Sequence, residues 1–121
     1  MKKMSKSDMQ FIGNIELYED EKLLKPLVID SEGRPLLKIP IVNAGETRTV
    51  EIYIVNRSKH KFELEEVSNA DADVTFKFDK EVLEKDSPVK VEVTFAPKPE
   101  RASILDASFK IKGRFVIETW G

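Results

Sequence analysis

The sequence holds one side chain suited to moving protons near neutrality, His60, set in Arg57-Ser58-Lys59-His60-Lys61. A general base needs a neighbour that orients its ring, usually a carboxylate, and the cations here favour neutral imidazole without aiming it. The loop therefore reads as a solvated basic turn, with a small patch for an anionic surface as its functional alternative. Two acidic tracts, Glu19-Asp20-Glu21 and Asp71-Ala72-Asp73, offer oxygens of the kind calcium takes, but lack the spaced loop with its central Gly and closing Glu. No pair among the 22 acidic residues stands out for glycoside hydrolysis, since they scatter along strand faces that should be solvated. The absence of cysteine excludes disulfides, thiolate zinc, iron–sulfur clusters and a cysteine nucleophile. No catalytic, metal-ligating or cofactor-binding residue is assigned, and the chain is not expected to be an enzyme.

The elements that position these side chains follow a period of two almost everywhere after residue 10, which predicts an all-β chain. Phe11, Gly13, Ile15 and Leu17 alternate with Ile12, Asn14 and Glu16 as a first strand, closed by the charged tract at 19–22. Residues 26–29 and 36–41 are apolar runs joined by a turn at 30–35, a candidate hairpin. Residues 47–56 are densest in β-branched side chains, with Val50, Ile52 and Ile54 facing inward. Phe62 and Leu64, then Val74, Phe76 and Phe78, then Val89, Val91, Val93 and Phe95, mark three further one-sided strands. Residues 80–86 tolerate a helical turn, and Gly113 divides the last run, 104–120, as a tight hairpin would. Several short one-sided strands at regular spacing predict an antiparallel β-sandwich.

At 121 residues, with 40% hydrophobic and 35% charged side chains, the chain has the material for one compact core. Its formal net charge of -2 provides no global positive field, so nucleic acid is not an expected partner. The longest apolar runs are a few residues, against the roughly 20 that a membrane helix needs, so no membrane role is expected. The opening Met1-Lys2-Lys3-Met4-Ser5-Lys6 carries the charge of a signal peptide without the apolar run that follows one. The expectation is a protein made in the cytoplasm, not secreted by a signal peptide.

Residues 36–113 carry a recognisable grammar: Gly45-Glu46-Thr47 turns into a strand ending at Asn56, and a later strand closes on Phe95-Ala96-Pro97. This resembles the ASH and major-sperm-protein type of immunoglobulin-like domain. The resemblance implies an immunoglobulin-like sandwich over residues 36–121, with 1–35 as an N-terminal arm carrying an extra strand. The physical roles of these residues are architectural. Gly45 supplies a positive φ, Asn56 caps a strand end, and Pro97 stops one.

Apolar side chains on the outward faces are the strongest pointer to function. With Ile52 and Ile54 inward, Tyr53 and Val55 face out beside Glu51, and Val116 and Trp120 oppose Phe115 on the last run. Together with Phe11, Ile12 and Tyr18 these form the expected contact set, which either the arm or another subunit covers. The expected function is a non-enzymatic structural or assembly protein that binds neighbouring subunits, as a homo-oligomer or within a large assembly. The resemblance to small immunoglobulin-like proteins of phage heads and tails implies a virion as the expected assembly. A cytosolic interaction module of the ASH or sperm-protein kind is the alternative. A carbohydrate-binding module, requiring Tyr18, Tyr53 and Trp120 on one platform, is the third.

Overall fold

The computed structural model describes residues 15–100 and 105–116. Among them there is no helix, and seven strands form two antiparallel sheets in a sandwich-like all-β fold. The strands are β1 (Ile15–Tyr18), β2 (Arg48–Asn56), β3 (Lys61–Ser68), β4 (Val74–Phe78), β5 (Val82–Leu83), β6 (Val89–Phe95) and β7 (Lys110–Val116). One sheet has the order β1-β2-β6-β4 and the other β5-β3-β7.

Alternation does the structural work that the sequence predicts. Val89, Val91, Val93 and Phe95 turn inward along β6 and are buried, while Lys90 is exposed. Ile15 and Leu17 from β1, and Ile52 and Ile54 from β2, meet Phe62, Leu64 and Val67 from β3 and Ile111 from β7 in a single core. Phe76 of β4 packs on Phe109, the residue just before β7, with ring centroids 5.6 Å apart. Since β1 pairs antiparallel with β2 from Ile15 opposite Asn56 to Tyr18 opposite Tyr53, it lies in the sheet as its edge strand.

The segment between β1 and β2 stitches the sheets together on one side. Single antiparallel bridges run from Tyr18 to Pro26, from Ile29 to Pro35 and from Leu36 to Ser108. The expected hairpin is present as a short one, with the Ile29–Pro35 bridge and bonds from Leu36 N to Val28 O and from Asp30 N to Arg34 O, both 2.8 Å, but no named strand. At the turn before β2, Gly45 has φ +87°, a conformation that a Cβ disfavours, and its amide donates to Pro97 O at 2.7 Å.

Two sequence expectations are corrected. The stretch 80–86 is not a helical turn: Val82–Leu83 is a short strand pairing with β3, because Leu83 is wanted in the core, where it is fully buried. Gly113 is not a hairpin apex but the middle of β7, opposite Leu64. A Cβ there would collide with the backbone oxygen of Glu63 and lie 2.5 Å from Phe62 Cζ, so glycine is required by close approach. The β3 register shifts between Leu64 and Glu66, and this bulge turns Val67 inward after two consecutive exposed glutamates.

Candidate functional site

The outer face of the four-stranded sheet carries the described contact residues that come together. Tyr18 and Tyr53 are directly opposite in the β1–β2 register, so their half-buried rings share this face. Each hydroxyl is held by a carboxylate two residues away: Tyr18 donates to Glu16 Oε1 at 2.6 Å, and Tyr53 to Glu51 Oε1 at 3.0 Å.

Charge is organised in two groups around that pair. Arg57 Nε reaches Glu16 Oε1 at 3.0 Å, and its Nη1 reaches Asp86 Oδ1 at 2.9 Å, so one guanidinium ties β1 to the loop before β6. The Tyr18 hydroxyl and then Arg57 hold the Glu16 carboxyl below its ordinary value, partly offset by burial. The same bond pushes the Tyr18 phenol up, because ionising it would remove the donor and place two negative charges together. On the other side Lys90 approaches Glu51 at 3.5 Å. Burial chiefly, then Glu51, raises the Tyr53 phenol, and the charges of Glu21 and Asp20 add to it.

Beyond Tyr53 the face opens into a cleft of about 530 Å³. Leu27, Leu37 and Ile52 form its floor, Val50 and Tyr53 flank it, and Glu19, Asp20, Glu21, Glu51 and Lys38 stand at its rim. Val50, expected inside, is only half-buried, since it borders this opening.

Comparison with known proteins finds no matching family model, curated protein or solved structure. The functional reading therefore rests on geometry.

Of the expected contact set, Tyr18 and Tyr53 are the pair brought together among the described residues. Phe11, Ile12 and Trp120 lie outside the described residues. Val116 is half-buried at the end of β7, opposite Lys61 in the other sheet, away from the tyrosine pair. Val55 is a correction: alternation puts it on the outer face, but it is 0% exposed and cannot be a contact residue. Glu16 stands across from it, and Arg57, two residues along, bonds Glu16 and Asp86, so ion-paired side chains of the same chain wall it in.

Of the acidic side chains singled out in the sequence, Asp20 and Asp71 bond to backbone amides, and His60 takes part through its main-chain oxygen. The carbonyl of His60 accepts from Asn56 Nδ2 at 2.7 Å and from Ser58 Oγ at 2.7 Å. Asp20 Oδ1 accepts from the amides of Leu24 and Lys25, and Asp71 Oδ1 from that of Asp73. Among the described residues, no three His, Cys, Asp or Glu side chains gather so as to hold a metal ion. The sequence reading missed the cleft, whose signal is a difference in length between paired strands rather than any motif.

Proposed function

We propose that this chain is a non-enzymatic structural subunit that assembles with other copies of itself through the outer face of its four-stranded sheet, in a large assembly such as a virion. The carrying observation is the pair Tyr18 and Tyr53, opposed on one face, half-exposed, each pinned by a carboxylate. Aromatic rings with a polar tip lose little entropy on docking and are enriched at interface centres. Charged groups around them, Arg57, Glu16, Lys90 and Glu51, make a rim that sets register and rejects wrong partners. The strand order supports an immunoglobulin-like sandwich, since β1-β2-β6-β4 follows the A-B-E-D order and β3 against β7 follows C against F.

Sedimentation velocity of the full chain over a wide concentration range tests this reading. The expected result is a species heavier than one chain, dispersed in a Tyr18→Ser, Tyr53→Ser double variant that stays folded. A monomer at every concentration, or assembly that the double variant leaves intact, overturns it. The cleft beside Tyr53 favours a second reading, an interaction module holding one peptide partner, which the same measurement would show as a monomer that gains mass only with its partner.

A further inference from the structure

We propose that residues 48–52 of β2 form a docking slot for an extended segment of a different protein, one that alternates apolar and basic residues. The inference rests on the reading of this chain as a protein-binding subunit and names the kind of segment it takes. Its foundation is a mismatch in strand length. On one side β2 pairs with β6 from Arg48 to Ile54, whereas on the other β1 covers only Tyr53 to Asn56. At Tyr18 the chain leaves the sheet, because Asp20 holds a turn by accepting from Leu24 and Lys25, and it returns beside Tyr18 at Pro26. Among the described residues, no loop backbone group bonds to residues 48–52.

The unpaired edge faces the cleft. Every second residue of an edge strand points its N–H and C=O outward, and an added strand satisfies those groups on both partners. The slot spans about 17 Å at the usual rise of a strand. Side chains of the incoming strand opposite Val50 and Ile52 would point to the apolar floor with Leu27 and Leu37. Those on the other face would point outward with Glu51. The rim sets the charge: Glu19, Asp20, Glu21 and Glu51 outnumber Lys38, and among the described residues Glu19 and Glu21 have no ion-pair partner. A Lys or Arg side chain meets those carboxylates, whereas an acidic one is repelled.

The test titrates the isotope-labelled full chain with acetyl-Lys-Val-Lys-Val-Lys-Val-Lys-amide and follows backbone amides by NMR. Shifts are expected at Thr49 to Tyr53 and at Glu19 to Glu21. They should be lost with the peptide carrying Glu for Lys, and with one N-methylated on alternate backbone nitrogens. A Glu19→Gln, Glu21→Gln, Glu51→Gln variant should bind the lysine peptide about tenfold more weakly. No binding, equal binding by the acidic or N-methylated peptide, or shifts along β4 or β5 instead overturns the proposal. Concentration-dependent shifts at Thr49, Val50 and Ile52 without peptide also overturn it, since a second copy would then fill the slot, whereas shifts centred on Tyr18 and Tyr53 report assembly through the outer face. Sedimentation of the chain alone reads the assembly proposal separately, so failure of one is distinct from failure of the other.

Discussion

The side-chain amide of Asn56, at the end of β2, donates to the backbone oxygen of Leu83 in β5 at 2.9 Å, joining the two sheets where strands of both come to an end. The same nitrogen donates to His60 O, and Oδ1 accepts from Ser58 N and Ser58 Oγ. Asn56 is fully buried, and its own backbone oxygen accepts from Asp86 N at 2.7 Å. A buried polar group with all its partners fixes one arrangement of the loops around it.

Replacing Asn56 by Ala should therefore cost about 2–3 kcal/mol, since it strands buried carbonyls. Asn56→Asp should cost more, because a carboxylate in place of the amide donates nothing and carries a buried charge. Urea denaturation of the three proteins checks the order. Equal midpoints would show that the amide is dispensable.

Glycine positions separate two mechanisms. Gly113→Ala should cost about 3 kcal/mol or more, because the new methyl meets the Glu63 backbone and the Phe62 ring and forces both strands to shift. Gly45→Ala should cost only about 1 kcal/mol, since the nearest atom, Pro99 Cγ, is at 3.6 Å and only the positive φ penalises the side chain. Thermal melts distinguish them, and a larger loss at Gly45 would contradict the packing at β7.

Core and surface apolar residues should part in the same way. Ile52 is 3% exposed in β2, and Ile52→Ala should cost about 2–5 kcal/mol through lost burial and an unfilled cavity. Val82 is 41% exposed, and Val82→Ala should stay within about 0.5 kcal/mol. Chemical denaturation of both variants provides the comparison.

The Glu16–Tyr18–Arg57 chain gives stability a pH dependence at both ends. Glu16 titrates below its ordinary value near 4.5 in the folded protein, so its contribution is present above that value and lost as the pH falls through the folded one. Tyr18 titrates above its ordinary value near 10, so its contribution is present below that value and lost as the pH rises through the folded one. Glu16→Gln should flatten the acid limb by removing the carboxylate, and the alkaline limb by replacing a charged acceptor of the Tyr18 proton with a neutral one, so that ionising Tyr18 no longer sets two negative charges together. Denaturation midpoints across the pH range test this, and identical slopes in both proteins would remove Glu16 from the account.

Strand positions facing the core were legible because burial on one face imposes a period of two. Val89 to Phe95 show that pattern in the sequence and bury it in the fold. Gly45 was legible too, since a turn needing positive φ selects glycine locally. β5 was not, because Glu81, Leu83, Glu84 and Lys85 suit a helix on local propensity, and only the demand of the core for Leu83 overrides it.

By itself, then, the sequence determined the class of the fold, the inward faces of its strands and the turns that punctuate them, because each depends on side chains near in sequence. Tertiary structure alone decided that Gly113 lies mid-strand against Phe62 and that Val55 is walled in beside Arg57. It also decided that β1 stops short of Arg48 to Ile52 and leaves a cleft there. These depend on register, bulge and pairing length between segments far apart in the chain, and such relations exist only once the strands have met.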